Sequence, residues 1–277
     1  GNTTPFIARY RKEQHGAMDD QLIRQIADKL EYLRNLDARR EEVRKLIEAQ
    51  GNLTEEVSAA LDKAATLAEI DDIYRPFRPH RKTRASVAKE KGLEPLALFI
   101  SLQNMNAAPK TEAEKFIDEE KGVATVDDAL QGAMDIIAED ISDDAALRKK
   151  MRELYFRSGV IASKAADAEA ESVYTNYYDY SEPVKKIVGH RILALDRGEK
   201  EDFLRVTVSV PDGEAEKTVC DKYVKNESEC GALVKLAAED SYKRLIAPSI
   251  EREIRAELTS NAAEQAIKVF SSNLRQL

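Results

Sequence analysis

The residues of this chain best suited to chemistry are cations, and the chemistry they suit is the capture of phosphate. Residues 74–84 read YRPFRPHRKTR and gather Arg75, Arg78, Arg81, Lys82 and Arg84 with His80, with no acid among them. Tyr74 and Phe77 are interleaved, and Pro76 and Pro79 bias the backbone toward an extended polyproline-II path. Cations and flat rings along one exposed strand suit a nucleic-acid backbone and its bases. Arg9, Arg11 and Lys12 make a second, smaller cluster. The same run also reads as a solvated connector whose arginines pair with nearby acids, and composition leaves both readings open. The chain carries a formal net charge of −8, so a polyanion would have to bind locally, against a repulsive background.

Catalytic patterns do not emerge beside it. His15, His80 and His190 are far apart in sequence, and no Walker loop, G-x-G-x-x-G or H-E-x-x-H is present. Cys220 and Cys230 form no C-x-x-C and lack a paired histidine, so the expectation is free thiols in a reducing cytoplasm, with neither metal nor cofactor. A disulfide stays compatible with their spacing. A hydrolase using paired carboxylates rests on nothing but abundant acids. Tyr174, Tyr177, Tyr178 and Tyr180 could stack bases, but Glu169, Glu171 and Asp179 beside them repel phosphate, which favours packing. No apolar run reaches the length of a membrane span. The reading is a non-enzymatic, cytoplasmic protein with a binding or scaffolding role.

The elements that must hold these residues are helices. Charged residues make up 34 % with both signs mixed, and glycine and proline are scarce, which favours long helices laced with ion pairs over sheets with many turns. Pro5 opens a short helix through Gln14, and Asp19 and Asp20 open a long one that Gly51 ends. Its seam is Leu22, Ile26, Leu30, Leu33, Leu36, Val43 and Ile47. A helix of this length predicts an elongated, mainly α, multi-helical array. Thr54 caps the next helix, residues 67–74 lead into the basic run, and Thr111 with Glu114 and Thr125 with Asp128 have capping-box spacing. Residues 158–170 stay ambiguous. Ser181, Glu182 and Pro183 read as a helix start. Residues 203–210 alternate apolar and polar and read as a strand, and residues 216–220 are its candidate hairpin partner across Pro211-Asp212-Gly213. After 228 the chain returns to helix, with a break at Pro248.

Residues 87–93 place Ala88 and Gly92 at the spacing of a helix-turn-helix, where the small residue lets helices approach and glycine supplies the turn. The following helix, 94–100, is almost wholly apolar and lacks the Arg, Asn or Gln that reads base edges. The unit at 83–104 therefore predicts helix-turn-helix geometry used for packing.

Four segments together resemble the Tex family of bacterial transcription accessory proteins: GNTTPFIARYRKE at 1–13, YRPFRPHRKTRASVAKEKGLEPL at 74–96, HRILALDRGE at 190–199, and the stretch 242–277 with YKRLIAPSIEREIRAEL and AIKVFSSNLRQL. The resemblance covers essentially the whole chain, but the N-terminal helical part of the family alone. It implies a helix-turn-helix-like unit, which agrees with 87–100. It implies a short stretch before Gly1. It also implies modules after the chain: a YqgF-like RNase H-fold domain, helix-hairpin-helix repeats, and the OB-fold domain that is the family's main RNA-binding module. The family is similar to a eukaryotic elongation factor and is implied to act in transcription through nucleic-acid binding.

The expected organisation is an N-terminal helical region at 1–180 and a second helical subdomain with a small β element at 181–277. The expected role is weak, sequence-independent contact with RNA or DNA through Arg75, Arg78, His80, Arg81, Lys82, Arg84, Arg9, Arg11 and Lys12, while positioning the downstream modules. The alternative is a scaffold that docks RNA polymerase or ribosome-associated proteins and makes no nucleic-acid contact.

Overall fold

A computed structural model describes every residue except 1, 2, 12, 15, 17, 79–81 and 277. The protein is mainly α-helical, with one three-stranded antiparallel sheet, and it divides into two compact units, residues 1–79 and 80–277. The expected boundary at 180/181 falls inside a strand of the second unit.

The first unit holds α1 (Thr4–Tyr10), α2 (Asp20–Ala49), α3 (Glu55–Lys63) and α4 (Leu67–Tyr74), then one 3-10 turn, Arg75–Phe77. Local sequence sets its boundaries. The Asp19 carboxylate accepts from the Gln21 N–H at the start of α2, and the hydroxyls of Thr54 and Thr66 accept from the first turns of α3 and α4. The core is Leu36, Val43, Ile47, Leu61, Ala64, Ile70 and Tyr74. Arg40 ties α2 to the end of α3 by donating to the carbonyls of Leu61 (2.9 Å) and Ala64 (3.0 Å). The seam of α2 is therefore split. Its C-terminal half is buried, while Leu22, Ile26, Leu30 and Leu33 are 44–50 % exposed.

The second unit begins with α5 (Arg84–Glu90) and α6 (Glu94–Leu102). It continues through α7 (Pro109–Glu114), α8 (Val126–Ser142) and α9 (Ala145–Ser158). The α5–α6 pair is the expected helix-turn-helix: Thr83 and Ser86 form a reciprocal capping box, and Gly92 takes φ +81° in the turn, where a side chain would be strained. As expected, α6 spends its residues on packing, with Leu96, Ala97 and Ile100 buried. α8 comes close to the turn at Gly132, where a Cβ would lie 2.3 Å from Leu93 Cδ1 and push that side chain aside. Thr125 and Asp128 form the expected capping box, but Thr111 lies inside α7, which starts at Pro109, so the pattern there is not a cap.

The sheet has the order β2-β1-β3, with β1 (Val160–Ala165) between β2 (Asp179–Pro183) and β3 (Leu204–Ser209). β3 is the expected strand, with Leu204, Val206 and Val208 buried and alternate residues exposed. Its expected hairpin partner is corrected: residues 216–220 lie in α11 (Glu214–Tyr223), and β3 pairs with β1 instead, Ala162 opposite Thr207. The helix start at 181–183 is likewise corrected. Those residues are in β2, paired with β1, and the helix begins later, as α10 (Gly189–Lys200). Pro183 is tolerated because the Val184 N–H, not residue 183, donates to the Gly159 carbonyl.

The outer edge of β3 is closed by side chains. The Val206 N–H donates to Glu199 and the Val208 N–H to Glu251, while Arg255 donates to the Val206 carbonyl and pairs with Glu199. Carboxylates from two helices thus take donors that a bare edge would leave open. Glu251 and Arg255 belong to α13 (Ala247–Gln276), which follows α12 (Glu229–Asp240). The break expected at Pro248 is corrected too. A π-helical segment, Ser241–Ile246, joins α12 to α13 without a loop, and such a wide turn accommodates a proline's missing N–H and its clash with the preceding turn.

Candidate nucleic-acid interface

The basic run does not stay extended. Arg75–Phe77 form a 3-10 turn that continues α4. Tyr74 is 8 % exposed within the first unit's core and Phe77 packs against the same cluster, so neither ring is open for stacking. The expected polyproline path and its interleaved rings are therefore corrected over 74–77. Burial of apolar rings outweighs the proline bias, since covering an aromatic side chain is worth about 1.5–3 kcal/mol.

The cations of the run meet two different environments. Arg78 turns back onto its own unit, 3.2 Å from Asp71, with its guanidinium 5.5 Å from the Tyr74 ring centre. Arg39 shares that carboxylate at 2.7 Å and approaches the same ring at 5.9 Å. The hydrogen bond to Asp71, with a second from Arg39 to Glu42, raises the Arg39 pKa above its ordinary value. Arg75 is half-buried in the 3-10 turn and has interaction partners of its own. His80 and Arg81, like Lys12, lie outside the described residues.

At the other end the cations are open. The Lys82 side chain is 74 % exposed and stands 3.9 Å from an exposed Glu90, an ion pair of little energetic weight. Arg84, the first residue of α5, is exposed and makes no hydrogen bond or ion pair among the described residues. Arg9 and Arg11 are also exposed; with Tyr10, Glu13 and Gln14 they line a shallow depression of about 360 Å³ in the first unit.

Behind Arg84 lies a feature that the sequence did not flag. Gln131 and Asp135, one turn apart on α8, face Arg84 across a groove, and Arg244 reaches Asp135 from the helical segment after α12 at 3.6 Å. Burial pushes the Asp135 carboxyl above its ordinary pKa, opposed by the charges of Arg244 and Arg84. The one available signal was an aspartate set between the apolar residues Met134 and Ile136-Ile137 of α8. Arg148 was also missed. It is fully buried on α9 and bonded to Ser249 and Glu253 of α13, which makes it a structural clamp. Gln103, with φ 53°, was missed as well. It is 4 % exposed, donates to the Tyr223 carbonyl and accepts from the Lys225 N–H, each at 2.8 Å.

The tyrosine group packs, as the acids around it suggested, with Tyr174 in the core and Tyr177, Tyr178 and Tyr180 half-buried against it. Tyr174 is 5 % exposed beside Phe203, and Tyr177 and Tyr180 meet edge to face at 5.3 Å. Cys220 and Cys230 are free thiols. Among the described residues no cluster of three or more His, Cys, Asp or Glu is placed to hold a metal, and no helix is long and apolar enough to cross a membrane.

Comparison with known proteins gives a context for this geometry. Residues 1–48 match the Tex-like protein N-terminal domain, and residues 104–270 match the Tex central region-like family. The Bacillus subtilis protein YdcI is 47 % identical over 281 residues, covering 100 % of this chain and 39 % of that protein. The transcriptional accessory protein Tex of Neisseria gonorrhoeae is 33 % identical over 297 residues, covering 100 % of this chain and 37 % of that protein. Human S1 RNA-binding domain-containing protein 1 is 29 % identical over 294 residues, covering 100 % of this chain and 29 % of that protein. The chain thus spans less than two fifths of the length of each of these relatives.

Proposed function

This chain belongs to the Tex family of transcription accessory proteins, and from that membership and the open cations at the head of α5 we propose that it is a non-catalytic, nucleic-acid-contacting region of such a protein. It acts in the cytoplasm and holds downstream RNA-binding modules in position while making its own weak, sequence-independent contact with the phosphate backbone. The observation that carries this reading is the state of Lys82 and Arg84, which stand exposed and almost unneutralised. Cations in that state attract phosphate and release its counterions on contact, whereas paired ones have already been neutralised. Arg9 and Arg11 are a second candidate contact. Arg75 and Arg78 contribute less, because Asp71 and Tyr74 hold Arg78 to its own unit. The family relatives support the nucleic-acid reading by name, one as a transcriptional accessory protein and one as containing an S1 RNA-binding domain.

The test is fluorescence anisotropy with labelled single-stranded RNA and duplex DNA at low and moderate salt. Replacing Lys82 and Arg84 together by Glu is expected to weaken binding about tenfold and to flatten its salt dependence. Unchanged binding in that variant removes these residues from the interface.

One observation favours the scaffold reading as well: α2 leaves Leu22, Ile26, Leu30 and Leu33 exposed along one seam. If docking to the transcription or translation machinery is the role, replacing Leu22, Ile26 and Leu30 by Glu abolishes co-purification with RNA polymerase or ribosomal proteins. The Lys82 and Arg84 variant then has no effect.

A further inference from the structure

Two lobes of one groove meet at Arg84, Gln131 and Asp135. The first, about 530 Å³, runs between the α5 side, with Lys82 and Val87, and α8, with Asp128 and Gln131. The second, about 570 Å³, runs between α8, with Met134 and Asp135, and α12, with Leu236 and Asp240. Arg84, Gln131 and Asp135 line both.

Three kinds of surface converge there. The rim is cationic, at Lys82 and Arg84. The walls are partly apolar, at Val87, Met134 and Leu236. Between them lies a short row of base-edge partners. Gln131 Nε2 makes one long hydrogen bond, 3.4 Å, to Asp135 Oδ1, and the Arg244 guanidinium approaches the same oxygen at 3.6 Å. Oδ2 of Asp135 makes no hydrogen bond among the described residues, and neither does Oε1 of Gln131. Asp135 is 8 % exposed and Gln131 is exposed, so the remaining acceptor capacity opens onto the groove from its wall and its rim. Other carboxylates nearby are already engaged: Asp128 in the capping box with Thr125, and Asp240 in an ion pair in which Arg244 Nε and Nη2 both donate to it.

Phosphate, base face and base edge are the three surfaces of a nucleotide, and here each has a counterpart. We propose that the groove between α5, α8 and α12 takes one unstacked base of a single nucleic-acid strand, with its phosphate on Lys82 and Arg84 and its edge on Gln131 and Asp135. This rests on the reading of the open cations as a backbone contact. A paired base in a duplex cannot enter such a groove, so the ligand is single-stranded. The edge chemistry also selects the base. A carboxyl C=O oxygen and an amide oxygen are acceptors, and guanine offers two adjacent donors, N1–H and N2–H, to meet them. Uracil offers one donor flanked by two carbonyl oxygens, which the carboxylate repels. The contact expected to be blind to sequence along the run thus acquires a preference for guanine at one position.

The experiment uses two labelled 12-nucleotide strands, all-uridine and the same strand with one central guanosine, each also in deoxy form, with anisotropy as the readout. The guanosine strand is expected to bind about tenfold more tightly. Gln131→Ala is on an exposed position and Asp135→Asn is nearly isosteric. Each is expected to erase the difference, Gln131→Ala by weakening the guanosine strand and Asp135→Asn also by strengthening the all-uridine strand, whose carbonyl oxygens are then no longer repelled, with thermal melts confirming the fold. Lys82→Glu with Arg84→Glu weakens both strands equally. Tighter binding of the ribose or deoxyribose form identifies RNA or DNA as the source of the base. A 6-thioguanosine in the central position is expected to crosslink to peptides from α5, α8 or α12. Equal affinity for the two strands, a guanosine preference that survives both variants, or a crosslink elsewhere overturns the groove site and leaves the backbone contact standing. Binding of both strands that ignores the charge reversal, or no binding of either, overturns the backbone contact and the groove with it.

Discussion

Arg78 and Arg84 stand six positions apart in one basic run, yet they are different objects. Arg78 lies against a tyrosine ring and a carboxylate of its own unit. Arg84 heads a helix in the other unit and has no hydrogen bond or ion pair among the described residues. A third cation, Arg148, is fully buried and tied to Glu253 and Ser249. The contrast teaches that charge density in a sequence measures supply, not availability. What decides availability is whether a carboxylate or an aromatic face is brought within a few ångströms, because a paired guanidinium has already exchanged water for a partner.

The contrast is most easily broken at its buried end. Glu253→Ala leaves Arg148 and Arg152 short of their shared carboxylate and is expected to destabilise the 80–277 unit by about 3–5 kcal/mol, read as a fall in the urea midpoint. Nucleic-acid affinity at temperatures where the variant stays folded should not move. At the open end the pattern inverts. Charge reversal at Lys82 and Arg84 lowers affinity about tenfold while the melting temperature holds within about a degree or two. Equal changes in stability at the two ends would mean that Arg84 is as engaged as Arg148.

A smaller effect probes what aims Arg84. Thr83→Ala removes the hydroxyl that accepts from the Ser86 N–H at 2.9 Å and is expected to cost about 1 kcal/mol of stability. It frays the first turn of α5, so affinity should fall with it. Arg78→Ala is expected to cost at most about 1 kcal/mol and to leave binding nearly unchanged. A loss of affinity as large as that from the reversed pair would place Arg78 among the open cations.

Acid sharpens the same distinction. Burial raises the pKa of Asp144, but hydrogen bonds from Lys222, Tyr223 and the Leu147 N–H outweigh it and hold the carboxyl below its ordinary 3.8. A depressed folded pKa contributes stability that is present above the unfolded value and lost as pH falls through the folded one. The urea midpoint of the second unit is therefore expected to drop below pH 4, and Asp144→Asn should flatten part of that drop.

Much of the helical frame was legible because its signals are local. Asp19, Thr54, Thr83 and Thr125 each cap the helix that follows, since a side-chain oxygen two or three residues from a free N–H needs no tertiary help. The same holds for Gly92, which marks the helix-turn-helix by the backbone angle it permits, and for the alternation of Leu204, Val206 and Val208. β2 was illegible because its five residues, DYSEP, carry no strand pattern and become a strand through the edge that β1 presents. The groove was illegible for a similar reason: Arg84, Gln131, Asp135 and Arg244 come from segments up to 160 positions apart in the 277-residue chain.

The sequence by itself determined the helix starts capped at Asp19, Thr54 and Thr125, that the chain is mainly α, and that cations gather near its helix-turn-helix. Tertiary structure alone decided which of those cations face water, which aromatic rings are core, and which acid sits behind Arg84. The physical reason is range. Caps and turns act over three or four residues, whereas burial and charge neutralisation depend on neighbours that arrive only when the chain has folded.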